Sequence, residues 1–351
     1  MNVNESIKVQ NNFIVRFAAF VIVIAGIMYA ASLVTSFLLA LFISIICAQP
    51  ILWLQKKKVP QALAIAIVFV GILAIFFGFG EIIANSFSSF SQDAPKYEQN
   101  LQKIGQRFFS FTDGLGIKIS TEEMSKLFNP SKVISITAGF LGQLGGFMGN
   151  AFTIFFLVLF LLLELDSISV KTKAIVKHTQ VSLDYLKSIG SSIRHYLSIK
   201  TVTSLLTGAL VWGALAIIGV DYAIIWGLIA FLLNYIPNIG SIIAAVPAVL
   251  FSLIQLGFGG AIWTSVVFVI VNLIIGNAVE PKMMGKGLGL STFVVFLSLI
   301  FWGFVLGTVG MFLSVPLTMA IKIMLEQNPK TQWVAIILGT QDEAQRVVDN
   351  E

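Results

Sequence analysis

Glu280 stands just past an uncharged run, 262–279, and follows Asn272, Gly276 and Asn277. Positions 272, 276 and 280 recur every four residues, and Asn277 lies three before Glu280. A regular helix therefore puts both amides and the carboxylate on one face. A carboxylate in an apolar setting is costly unless it does something, and here it can take up a proton or a monovalent cation and release it. The alternative is an interfacial Glu280 paired with Lys282, with Pro281 ending the helix. A second group, Asn234, Tyr235 and Asn238, surrounds Pro237 and Gly240. Proline removes a backbone donor and disfavours helix at the residue before it, so the chain is expected to break over 234–240. Freed carbonyls could then join these side chains in a neutral polar site for a hydroxyl-rich small solute. The same amides could instead cap the broken helix ends.

Other chemistries lack their residues. The single cysteine, Cys47, sits in an apolar run, which leaves no intrachain disulfide and no cysteine metal site. The two histidines, His178 and His195, lie in a basic stretch without a HExxH pattern or a carboxylate cluster. No Walker motif is present, so direct ATP coupling is not expected, and no nucleophile is paired with a base. The reading is of a non-enzyme without cofactor or metal. None of the four arginines (16, 107, 194, 346) falls in the middle of an apolar span, which argues against a bidentate clamp on a strongly anionic solute.

The elements that must position these groups are membrane helices. Hydrophobic residues make up 57% of the 351 and charged residues 11%, against about 25% charged in an average soluble domain. Several runs exceed the roughly 18 apolar residues needed to cross a bilayer. A β-barrel is excluded because these runs are continuously apolar rather than alternating. The fold class is an all-α polytopic membrane protein with about eight hydrophobic segments. The net charge of +5 fits cytoplasmic loops beside anionic lipid better than nucleic acid.

Along the chain, spans are expected at 13–31, 33–54 and 61–83, together forming a first unit over 1–83. Lys56-Lys57-Lys58 in a short loop places that loop and the N-terminus in the cytoplasm. A polar segment, 84–137, is read as extracytoplasmic and helical. In it Pro95 lies near a helix start, Tyr97, Leu101, Ile104 and Phe108 follow at helical spacing, and a second helix begins near Thr121. A fourth span, 138–166, opens with Gly142, Gly145, Gly146 and Gly149, four apart in pairs and suited to close helix packing. Residues 167–200 read as a basic amphipathic helix on the inner leaflet. A fifth span, 201–220, begins the core over 201–327, and 328–351 form a cytoplasmic tail.

Within the core two elements repeat a pattern. Each is an apolar arm and a weak spot, then a Gly followed six or five residues later by Val-Pro: Gly240 to Val246-Pro247, and Gly310 to Val315-Pro316. Pro247, Gly303, Gly307, Gly310 and Pro316 are the candidate breaks or hinges. The arm 223–234 spans only about 18 Å, too short to cross about 30 Å of hydrocarbon. Two topologies fit: a kink within one tilted span, or the tip of a re-entrant hairpin. Hairpins would give two elements of inverted orientation flanking one helix, a recurrent transporter architecture. Lys282 and Lys286 favour the hairpins, which place the loop 280–289 inside.

The combination NYIPNIGSIIAAVP, NAVEPKMMGKGLGLS and GTVGMFLSVPL resembles the autoinducer-2 exporter family of bacterial permeases. The resemblance runs from the first span to the tail, and its motifs are dense over 194–325. It implies eight or so membrane segments, cytoplasmic termini in a bacterial plasma membrane, and homo-oligomers, a pentamer being the favoured number. It also implies one of two activities, export of autoinducer-2 or sodium(lithium)/proton antiport. Partners are then a small polar solute, a proton or sodium ion, and membrane lipid. A non-transporting scaffold whose extracytoplasmic helices bind partners is a third reading.

Overall fold

A computed structural model describes residues 3–114, 139, 151–165, 167, 170–171, 174, 183–237, 239–284 and 289–349. The GxxxG-type glycines of 142–149, the helix expected near Thr121, His178, Asn238 and Lys286 lie outside these. The described residues are helical, without a strand. The helices are α1 (Val3–Tyr29), α2 (Ala31–Lys56), α3 (Gln61–Gly114), α4 (Ala151–Leu163), α5 (Leu183–Ile218), α6 (Ala223–Leu233) and α7 (Gly240–Ile274). A π-turn, Ile275–Val279, leads into α8 (Glu280–Met284), and α9 (Thr292–Glu326), α10 (Gln332–Leu338) and α11 (Gln341–Asp349) follow. Five stretches are long and apolar enough to cross a membrane, and shorter apolar helices occur at Phe17–Tyr29, Ala151–Leu163 and Ala223–Leu233. The all-α polytopic reading holds, and the protein is membrane-embedded.

Two boundaries expected from the sequence are absent. Pro95 does not start a helix: α3 runs straight through it. An interior proline costs a helix a backbone bond and a clash with the preceding turn, about 3 kcal/mol or more, but Tyr97, Leu101 and Ile104 are buried beyond it. Packing on that side outweighs the break. Likewise α5 continues across 200 and 201, so the basic amphipathic stretch and the fifth span form one helix over their described part.

The chain divides into two compact units. The unit built from 46–152 and 190–288 contains the first broken repeat, and it is a hairpin. After α5 stops at Gly219, which takes φ 86, α6 runs away from the turn and α7 returns to it. The return is fixed by Gln255, whose Oε1 accepts from the Asp221 N–H at 2.8 Å while its Nε2 donates to the Gly219 carbonyl at 3.0 Å. The arms, α6 and residues 240–256, are about 16 and 26 Å long, both short of a bilayer crossing. At Gly257 (φ 78, ψ −164) the chain reverses again, into a region of backbone space open essentially to glycine. From there 258–284 runs about 40 Å, enough for a full span.

Close backbone approach holds α6 on α5. A Cβ at Gly208 would lie 2.8 Å from the Gly227 carbonyl, and one at Gly227 would lie 2.7 Å from the Gly208 carbonyl. Small residues on both helices let the backbones touch. The other side of the hairpin packs on Phe251, whose ring meets those of Phe90, Tyr97, Tyr222 and Trp226 at centroid separations of 6.2, 5.0, 5.8 and 5.4 Å. The far part of α3 is pinned to the hairpin base by two crossed bonds. Tyr97 Oη donates to Asp221 at 2.9 Å and Tyr222 Oη to Asp93 at 2.7 Å. Burial first, and then the bond to Asp93, push the Tyr222 hydroxyl up to about 12.

The unit built from 1–45, 153–189 and 289–351 contains the second repeat. Here α9 reverses at Gly307 (φ 65, ψ −149). Trp302 Nε1 donates to Thr318 Oγ1 at 3.0 Å, although 16 residues of straight helix would separate them by about 24 Å. The two ends of α9 also meet, since a Cβ on Gly289 would sit 3.2 Å from Lys322 Nζ. The glycines of the two repeats play matching parts. A Cβ at Gly240 would fall 1.8 Å from the Leu233 carbonyl oxygen, and one at Gly310 would fall 1.9 Å from that of Trp302. Of the candidate hinges, Gly307 is the reversal itself and Gly303 and Gly310 flank it. Pro247 and Pro316 lie within helical arms and are buried. In this unit α10 packs on α9, and Lys322, buried, is held by Glu343 of α11 at 2.5 Å and by Glu326 at 3.2 Å.

Candidate functional site

The tip of the first hairpin lies against α5, and α5 supplies what the tip lacks. Asn234 Nδ2 donates to Ser204 Oγ at 3.0 Å, and Tyr235 Oη bonds Thr201 Oγ1 at 2.9 Å. Asn234 and Tyr235 are both buried. The break arises because Pro237 has no N–H to continue the ladder. Gly240 then lets the returning arm start against the Leu233 carbonyl. Pro237 is half-buried.

One residue before Thr201 stands Lys200, with its side chain 5% exposed. Its Nζ donates to both oxygens of Glu280, at 2.7 and 2.9 Å. Glu280 is 17% exposed. The carboxylate is thus paired across the bundle with Lys200, whereas Lys282, two residues on, is exposed. Tyr196, one turn before Lys200 on α5, is buried as well. The neutral polar group and the acidic group, separate in sequence, meet on one face of α5.

The expected amide–carboxylate face does not form as a regular helix would make it. The π-turn at Ile275–Val279 inserts extra backbone between Asn272 and Glu280, which shifts the register that four-residue spacing assumes. Asn272 and Asn277 are exposed, while Glu280 turns inward to Lys200. A single-turn π element of this kind recurs at functional sites, where it re-aims a side chain.

Sequence reasoning passed over Lys200, Thr201 and Ser204 because Lys200 read as the last cation of a surface helix. A signal was present. Thr203, Ser204 and Thr207 continue from Lys200 at helical spacing into an apolar run, and all are buried. A lysine that heads a hydroxyl stripe within a span is placed to face another helix.

This arrangement can do two things. A buried ion pair is stable only while both charges persist, since desolvation of a lone ion costs several kcal/mol, about as much as the pair gains. Protonating Glu280 therefore leaves the Lys200 ammonium without its counter-charge and favours a rearrangement around it. The hairpin tip, held by side-chain bonds of ordinary strength, can exchange those bonds for ones to a solute at about 1 kcal/mol each.

Residues 17–330 match the family described as AI-2E family transporter. A "Putative transport protein" of Haemophilus influenzae is 40% identical over 346 residues, covering 94% of this chain and 98% of its own. The "AI-2 transport protein TqsA" of Escherichia coli is 36% identical over 326 residues, covering 93% of this chain and 95% of its own. The "Putative transport protein YhhT" of the same organism is 36% identical over 332 residues, covering 95% of each chain.

Proposed function

The chain belongs to the AI-2E transporter family, and from that premise we propose that it is a secondary transporter exporting a small polar solute, with a proton or cation exchanged at Glu280. Autoinducer-2 is the first solute to try, because a relative 36% identical carries that transport in its name. The observation that carries this reading is the meeting on α5 of a broken-helix tip with a half-buried carboxylate paired to the buried Lys200. Broken helices give a solute polar backbone at a depth where intact helices offer none. A charge-changing group beside them couples the solute step to an ion step.

In one state Glu280 is ionised and holds Lys200, and Thr201 and Ser204 hold the tip. Taking up a proton on a Glu280 oxygen removes the attraction that keeps α8 against α5, and the tip bonds on the same helix face can exchange. Losing the proton restores the pair. The chain's own residues provide both steps, and the ion gradient provides the direction.

Purified protein in proteoliposomes tests this. Wild type should move autoinducer-2 or a related polyhydroxylated solute with a rate that depends on pH or sodium. Glu280→Gln should lose that dependence. Flux that keeps its full pH and sodium dependence in the variant would remove Glu280 as the coupling group. Sodium(lithium)/proton antiport is the second reading, favoured by the same carboxylate–ammonium pair. Proton movement on adding lithium to energised vesicles, without any organic solute, would select it.

A further inference from the structure

A groove of about 600 Å³ opens elsewhere in the same unit, lined by Gln49, Leu52, Trp53, Gln55, Lys56 and Arg194. Gln49, Leu52, Trp53 and Lys56 are spaced three and four apart, so they share one face of the last turns of α2. Arg194 faces them from α5. Among the described residues that line the groove are two cations, two amides and no carboxylate. Neither Lys56 nor Arg194 forms an ion pair among the described residues. Leu52 and Trp53 are 41% and 55% exposed, and Lys57 Nζ stands 4.0 Å from the centre of the Trp53 ring.

We propose that this groove is a specific site for an anionic phospholipid, with the lipid phosphate between Lys56 and Arg194 and its glycerol and upper acyl carbons along Leu52 and Trp53. The composition selects the ligand. Two cations facing one groove, with amide donors beside them, suit a phosphate. A free phosphate would leave the half-exposed leucine and tryptophan unused, while a lipid uses both halves. The place selects it too, because the end of an apolar helix rich in lysine and tryptophan lies at headgroup depth. Volume is adequate for a headgroup and glycerol.

The site reports on transport through α5. Arg194 precedes Lys200 by six residues, about 9 Å along the helix, with Tyr196 and Leu197 buried between them. A lipid that fixes the Arg194 end of α5 therefore fixes the segment that presents Lys200 to Glu280. This inference needs the protein to lie in a membrane and does not depend on the transported solute.

Native mass spectrometry of the full chain, delipidated and offered phosphatidylglycerol or phosphatidylcholine, tests it. Wild type should retain phosphatidylglycerol in preference. Lys56→Gln and Arg194→Gln should each weaken that retention about fivefold, the loss of one interfacial charge, and Arg194→Lys should restore most of it. The control, Lys58→Gln, outside the groove, should change it less than either. Three results would overturn the proposal: retention unchanged in Lys56→Gln and Arg194→Gln; an equal drop in the Lys58 control, which marks diffuse surface attraction; or displacement of the lipid by inorganic phosphate alone, which marks a free-anion site.

Discussion

Lys200 and Glu280 each neutralise the other's charge, so neither tolerates the loss of its partner. Removing one partner of a buried pair leaves an uncompensated charge at a cost of about 3–5 kcal/mol, whereas replacing both with apolar groups of similar volume is close to neutral. Lys200→Met should therefore lower thermal stability in detergent strongly, and Lys200→Met with Glu280→Leu should recover most of the loss. Equal destabilisation in the single and double variants would show that the pair contributes nothing beyond packing. Tyr235 and Asn234 differ in kind. Their bonds to Thr201 and Ser204 are neutral and worth about 1 kcal/mol each, the range in which a solute can compete. Glu280 was legible because a carboxylate closing a long uncharged run, with amides at helical spacing before it, is rare. Lys200 was not, because its partner lies 80 residues away.

The hairpins belong to the scale of the element. Gly257, where the first hairpin's returning arm passes into the long span, and Gly307, where α9 reverses, both occupy a backbone region that other residues enter at a cost of about 1–3 kcal/mol. Gly307→Ala should destabilise by that amount and raise the local mobility of α9, read as faster hydrogen exchange around Trp302 and Thr318. Exchange left unchanged would mean the reversal is held by packing alone. Pattern reading located Gly307 and the tip at 234–240 through clustered Gly and Pro. It left kink and hairpin open, since both put a weak spot at the same residues. It does not single out Gly257, although Gly259 and Gly260 follow within three residues, because the run stays apolar without a proline and an unbroken helix also fits. What separates the alternatives is where each arm ends, and only Gln255 at Asp221 and Gly289 at Lys322 show that.

At the scale of the molecule, the tail ties itself to the second hairpin. Glu343 of α11 accepts from Lys322, and the Ser291 N–H, at the start of α9, donates to the Leu338 carbonyl of α10 at 3.1 Å. A charge-assisted bond to a buried lysine is worth about 1.5–3 kcal/mol. Glu343→Gln should lose part of that, with Glu326 keeping the rest, and should speed proteolysis after residue 328. An unchanged cleavage rate would show the tail to be held by α10 alone. The chain's composition determined by itself that this is a helical membrane protein, because continuous apolar runs of that length have no other stable solution in lipid. The Gly and Pro positions determined where its helices give way. Only the tertiary structure decided which way they turn and which charge meets which. Those outcomes rest on contacts between residues tens of positions apart, and local spacing carries no record of them.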